Sequence, residues 1–312
     1  MYDIIIIGSG PAGMTAAIYS TRREMKTLVI GKETGGQMIW ASEIENYPGF
    51  KSITSFELIN KIKDHMLSSG AELSEDEVKK IEKLSDGSFK VYTNKEEFQA
   101  KTILVAMGLA PRRLAVKGEL EFNGRGVSYC ANCDGPLFKG KTVAVVGGGN
   151  SALDAAELLS KIASQVYLIH RSDSFRAFDT LVSEVKAREN IEIFLNSEIE
   201  EIVGSDRVAK IRISHHDQQE ITEKAVDGVF IEVGRLANTD LLEGLAERKE
   251  NSQVIVDEKM STTTPGLFAA GDVVDSDFKQ ITIAMGQATV AALSAYQYLQ
   301  LQKGIQETPK DH

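Results

Sequence analysis

The chain of 312 residues has a formal charge of −10, with 42% hydrophobic and 26% charged residues. That length exceeds one ordinary domain and that balance belongs to a folded globular protein, not a disordered one. Net acidity argues against nucleic acid as a partner, because phosphate backbones attract clustered Lys and Arg.

Residues 3–7 form a short apolar run, too short to span a bilayer and without the basic stretch that opens a signal peptide, so a cytoplasmic protein with no membrane partner is expected. The run ends in Gly8-Ser9-Gly10-Pro11-Ala12-Gly13. Residues 14–22 then read as a helix and 27–30 as a second strand, the spacing of a β-α-β unit. A pyrophosphate needs backbone N–H donors at close range and the positive end of a helix, and Gly8, Gly10 and Gly13 meet that demand. Residues 75–83 read as a solvated face, and 88–92 as a half-buried strand.

Two stretches read as domain junctions: 108–113, after an apolar strand at 102–106, and 234–239, after a strand at 228–233. Between them the same grammar returns. Residues 141–146 are a strand, Gly147-Gly148-Gly149-Asn150-Ser151-Ala152 is the turn, 152–162 a helix and 165–169 the next strand. Ala152 at the third position is compatible with the fingerprint. About 20 residues on, where an NAD site places an acid on the ribose, the chain has His170-Arg171 with Arg176 following; positive charge suits the 2′-phosphate of NADP, and exposed arginines are the bland alternative.

The two cysteines of the chain stand as Cys130-Ala131-Asn132-Cys133, followed by Asp134 and Gly135. An isolated C-x-x-C in a cytosolic chain is redox-active or half of a metal site. Five histidines, at 65, 170, 215, 216 and 312, supply no ligand near the pair in sequence, so no metal is expected. Thiol–disulfide exchange needs an attacking thiolate and a resolving neighbour, and an acid such as Asp134 can shuttle the proton. Residues 264–272 read as a buried strand delivering Asp272 as a second anchor for a long cofactor such as FAD.

With these residues in hand, the chain resembles the low-molecular-weight bacterial and archaeal thioredoxin reductases nearly end to end. The matching pieces are Gly8 to Gly13, Gly35-Gly36-Gln37, Glu45-Asn46-Tyr47-Pro48-Gly49, Ala106-Met107-Gly108 to Arg112, the cysteine motif through Gly135, Gly147 to Ala152, His170-Arg171, Phe175-Arg176-Ala177, Ala269-Ala270-Gly271-Asp272 and Lys279-Gln280-Ile281. The resemblance implies an α/β fold of two Rossmann-like, three-layer domains, the second inserted into the first. The FAD domain is expected at 1–113 and 244–312, and an NADPH domain carrying the cysteine pair at 114–243. FAD is expected on Gly8, Ser9, Gly10, Pro11, Ala12, Gly13, Gly35, Gly36, Gln37, Asn46, Val78, Gly271, Asp272, Lys279, Gln280 and Ile281. NADPH is expected on Gly147, Gly149, Asn150, Ser151, Ala152, His170, Arg171 and Arg176, with Arg235 as a further candidate.

By position the resemblance makes Cys133 the cysteine facing the flavin, Cys130 the one attacking the partner disulfide, and Asp134 the acid-base. It also implies a homodimer that reduces thioredoxin. The chain departs from the family pattern at Ser172, where a second arginine is common, at Gly234-Arg235-Leu236-Ala237, and at Lys279 in place of arginine. An NADH- or ferredoxin-dependent reductase, or one serving a glutaredoxin-like or peroxiredoxin-linked partner, therefore stays open. Cys133 lies about 14 residues before Gly147, so disulfide and nicotinamide site belong to one domain yet both must reach one flavin ring; a rigid rotation about the junctions is expected.

Overall fold

The computed structural model describes residues 1–40, 43–216 and 220–305. The chain divides into two compact units: Met1–Ile39 with Ser55–Ala110 and Leu236–His312, and Trp40–Thr54 with Pro111–Arg235. Both crossings fall inside the stretches read as junctions, though earlier than the bounds of 113 and 243. Segment 40–54, expected in the first domain, groups with the second unit. Its hairpin, Glu43–Ile44 against Ile53–Thr54, lies beside the short helix Ala131–Asp134 of that unit.

The first unit is built on a seven-stranded sheet ordered Glu72–Ser74, Thr27–Ile30, Tyr2–Ile7, Glu97–Val105, Phe89–Thr93, Val78–Lys83, with Leu267–Ala269 paired to the end of Glu97–Val105. Tyr2–Ile7 lies between parallel neighbours and is covered on both faces, so Ile4 to Ile7 are all buried and no polar alternation is seen. In the charged stretch, a bulge between Val78 and Lys80 brings Val78 and Ile81 to the core side while Lys79 and Lys80 stay in water. Helix Pro11–Arg22 packs on helix Ile281–Gln302. Ala284, Ala288, Ala291 and Ala295 recur at helical spacing, and these small side chains let the helices approach closely.

The second unit holds a five-stranded parallel sheet ordered Val127–Ser128, Gly228–Ile231, Thr142–Val146, Gln165–Ile169, Ile191–Phe194. Side chains alternate along Thr142–Val146. Val143 and Val145 pack with Leu153, Ala156 and Leu159 of helix Asn150–Ser160. Ala144 and Val146 pack with Ile199, Ile211 and Ile213 of the antiparallel sheet Ser197–Gly204, Val208–His215, Glu220–Ala225. Three layers result, as the resemblance implies.

Candidate active site

In the first unit, the glycine turn joins Tyr2–Ile7 to helix Pro11–Arg22, with Gly10 as N-cap and Pro11 in the first turn. Gly8 has φ +115°, and a Cβ there would stand 2.2 Å from the Ala106 carbonyl oxygen; a Cβ on Gly13 would stand 1.8 Å from the Gly8 oxygen. These two glycines are demanded by the chain itself. Gly10 is different: its Cβ would meet nothing closer than Gly36 Cα at 3.7 Å. The space in front of it is kept free for a group that approaches the backbone, which fits a pyrophosphate on a helix N-terminus.

Tertiary structure brings the other expected FAD residues to this turn. The Gly35 N–H donates to the Ser9 carbonyl at 2.9 Å, and Gln37 Nε2 donates to Asp272 Oδ2 at 2.8 Å. Gly271, at φ +80°, passes so close to helix Pro11–Arg22 that a Cβ would touch the Ala12 Cβ at 3.0 Å. Its N–H donates to Gln287 Oε1, and Gln253 Nε2 donates to the Asp272 carbonyl. Lys279 Nζ donates to the Val274 carbonyl, Gln280 is the N-cap of the last helix and Ile281 its first residue. Val78 is buried among Val91, Leu242 and Val254 and offers a ligand only its backbone. Asn46 is exposed in the segment that groups with the second unit. Glu33, three residues beyond strand Thr27–Ile30, is exposed, and its carbonyl accepts the Ser9 hydroxyl at 3.0 Å.

The second unit repeats the turn. Gly147 has φ +146° and a Cβ there would stand 2.4 Å from the Glu232 carbonyl oxygen, while Gly149, N-cap of Asn150–Ser160, has nothing within 4 Å. A dinucleotide fits this cradle for the same reason. Asn150 Oδ1 accepts the Phe178 N–H at 2.9 Å, and the Arg176 N–H donates to the Gly148 carbonyl at 2.7 Å, so the loop 171–178 is pinned to the turn. Arg171 and Arg176 are exposed, and among the described residues neither guanidinium has an acidic ion-pair partner. His170 is not placed with them. Its ring is buried under Gly148, stacked 5.4 Å from Phe175 and hydrogen-bonded to the Ser174 carbonyl, and burial lowers its pKa. It shapes the loop from below. Arg235 Nη2 donates to the Tyr129 carbonyl, which ties it to the approach to the cysteines.

Cys130 and Cys133 are joined in a disulfide across the first turn of Ala131–Asp134. The platform beneath is packed hard: Ala131 and Phe138 share a core with Val143, Leu153 and Phe230, and Phe138 meets Phe230 edge-to-face at 5.1 Å. Tyr129 OH donates to buried Glu119 at 2.8 Å, and Glu119 also accepts the N–H groups of Leu114 and Ala115. Burial and that carboxylate push the Tyr129 phenol above its ordinary range. Asp134 is buried and accepts the Ser128 hydroxyl at 2.7 Å. Glu232, a half-buried acid at the end of Gly228–Ile231, accepts the Ala131 N–H; burial pushes its pKa up to about 7. Ser128 gave no sequence signal, being a common residue type, whereas Glu232 was visible as a lone charge in an apolar run. Among the described residues no cluster of three or more His, Cys, Asp or Glu could hold a metal, and no helix is long and apolar enough to cross a membrane.

The chain is similar to known proteins. Residues 2–288 match the family described as pyridine nucleotide-disulphide oxidoreductase. Thioredoxin reductase of Bacillus subtilis (strain 168) is 38% identical over 99% of this chain and 98% of its own. Thioredoxin reductase of Listeria monocytogenes is 40% identical over 96% of this chain and 94% of its own. The crystal structure of thioredoxin reductase from Streptococcus pyogenes superposes with a TM-score of 0.90 at 39% identity, covering 96% of this chain and 99% of that one.

Proposed function

The chain belongs to the pyridine nucleotide-disulphide oxidoreductase family, and on that premise we propose that it is a thioredoxin-disulfide reductase, passing electrons from NADPH through FAD to the Cys130–Cys133 disulfide and on to thioredoxin. One observation carries the reading: the disulfide turn and the second glycine turn stand on the same packed core, through Ala131 and Phe138 on one side and Ala152 and Leu153 on the other. Bound FAD and NADPH supply the hydride and electron-pair chemistry that side chains lack.

The chain's residues bind, orient and move protons. In this reading the first unit is the FAD domain. Gly8 to Gly13 present backbone donors to a pyrophosphate, Asp272 anchors the sugar chain, and Gln37 holds the Asp272 carboxylate in place. The second unit is the NADPH domain; Gly149 leaves room for the phosphates, and Arg171 and Arg176 take the 2′-phosphate. Their exposed, unpaired guanidiniums favour NADPH over NADH. Cys133 accepts electrons, Cys130 attacks the partner, and Asp134 gives the leaving thiolate its proton. We place the enzyme in the cytoplasm as a homodimer, which sedimentation of the purified chain checks.

The test is an anaerobic titration of the yellow protein with NADPH and with NADH, followed by thioredoxin. NADPH is expected to bleach the flavin, and thioredoxin to restore its colour. Bleaching only by reduced ferredoxin would overturn the NADPH assignment, and a reduced enzyme that passes nothing to any thioredoxin would overturn the partner. Cys133→Ser is expected to keep flavin reduction and lose disulfide turnover.

A further inference from the structure

We propose that Ser128 is a positioning residue of the disulfide centre, its hydroxyl tying the carboxylate of Asp134 to the backbone of Cys130. Ser128 Oγ donates to Asp134 Oδ2 at 2.7 Å and accepts the Cys130 N–H at 3.1 Å. The serine is 3% exposed and the aspartate 7%, so water does not compete for either bond. Ser128 itself is held by the sheet: Val127–Ser128 pairs in parallel with Gly228–Ile231, Ser128 opposite Phe230. One hydroxyl thus fixes the acid relative to the cysteine whose sulfur is exchanged.

This inference rests on the reductase reading and on Asp134 as the proton-handling group, and it adds the residue that makes that group effective. In the exchange, Cys130 gives its proton to Asp134, its thiolate bonds to one partner sulfur, and the partner's S–S bond breaks. The departing partner thiolate takes that proton from Asp134. Cys133 then gives its proton to Asp134 and attacks Cys130, the Cys130–Cys133 bond re-forms, and the second partner thiolate leaves and takes this proton. Two electrons and two protons pass from the dithiol to the partner. The Ser128 hydrogen bond holds the Asp134 carboxylate in one orientation relative to Cys130, so the proton is passed from a fixed position. Ser128 and Asp134 form the buried end of a cleft lined also by Gly126, Leu137, Lys141 and Asp227. The charged groups around the carboxylate are Lys141, Arg207 and Asp227 in that cleft, and Glu232, bonded to the Ala131 N–H on the adjoining strand.

The experiment uses pre-reduced holoenzyme of wild type, Ser128→Ala, Ser128→Thr and Asp134→Asn in single-turnover transfer across pH. Two acceptors are compared: thioredoxin disulfide, whose leaving thiol needs a proton, and an aryl disulfide, whose thiolate leaves without one. Loss of one charge-assisted bond in Ser128→Ala is expected to slow transfer to thioredoxin about tenfold at the pH of its maximum. The aryl disulfide is affected far less, and Ser128→Thr restores the rate. Independently of turnover, the infrared carboxylate band lost in Asp134→Asn is expected to shift in frequency in Ser128→Ala, because one oxygen loses its hydrogen-bond donor. An unmoved rate and band, or an equal loss with both acceptors, overturns the proposal. If wild type reduces an alkyl disulfide such as cystine but no thioredoxin, the partner reading alone fails, and the Ser128 comparison is read on cystine.

Discussion

The two glycine turns of the chain meet the same geometric need with exchanged residues. In each, the middle residue of the first Gly-x-Gly touches the residue that follows the second strand. In the first unit that residue is Ser9, and Gly31 makes room for it: a Cβ on Gly31 would stand 2.1 Å from Ser9 Oγ. In the second unit the glycine is on the turn, and a Cβ on Gly148 would stand 2.1 Å from the His170 ring. A second exchange lies where the first glycine meets the sheet. Gly8 abuts the carbonyl of Ala106, Gly147 that of Glu232, so one unit carries a methyl where the other carries an acid bonded to the disulfide turn. The lesson is that the fingerprint conserves contact distances, while the side chains that satisfy them are free to serve chemistry.

The largest expected effect breaks the first turn. Gly13→Ala drives a Cβ to within 1.8 Å of the Gly8 oxygen, and is expected to destabilise by about 3 kcal/mol or more and to yield colourless protein. Its counterpart already is Ala152; Ala152→Gly is expected to cost only about 1 kcal/mol of helix propensity, measured by urea midpoints, with flavin retained.

Next is the acid that the first unit lacks. Glu232 has a pKa raised from 4.5 to about 7 by burial. Below pH 4.5 the folded and unfolded chains both hold its proton, and the cost is absent. As pH rises toward 7 the unfolded chain releases it first, so stability falls across that window and levels off above it, by roughly 3 kcal/mol in all. Urea midpoints of Glu232→Gln between pH 5 and 8 are expected to lack that slope.

Gly148→Ala is expected to cost roughly 1–3 kcal/mol through its clash with His170. In the double variant with His170→Ala much of this returns, a coupling that marks the exchanged pair. Should the two changes add independently, the pairing of turn and strand end would be wrong. The smallest effect sharpens the contrast in charge: Arg176→Ala is expected to raise the KM for NADPH about tenfold, roughly 1.4 kcal/mol, and to leave the KM for NADH unchanged.

Much of this was open to reading along the chain. Both turns, both helices behind them and the strand Gln165–Ile169 lie where glycine spacing and apolar runs put them, because a β-α-β unit is a local object set by short-range sterics. The disulfide was legible for the same reason, since two intervening residues bring Cys130 and Cys133 within reach. The hairpin Glu43–Ile44 with Ile53–Thr54 was missed, its strands being too short to show a period. The setting of His170 was not legible, because nothing local tells that its ring lies beneath Gly148.

Local pattern was sufficient wherever a turn needs φ values that only glycine tolerates, or a strand covered on both faces needs apolar residues throughout. It could not reveal which distant groups share a hydrogen bond. Gln37 reaches Asp272 across 235 positions because strands Leu267–Ala269 and Tyr2–Ile7 flank the same neighbour. Glu232 meets Ala131, though a hundred residues separate them, because parallel strands end at one edge of a sheet. Such pairings follow from strand order, which is settled by the packing of the whole core and has no short-range signature.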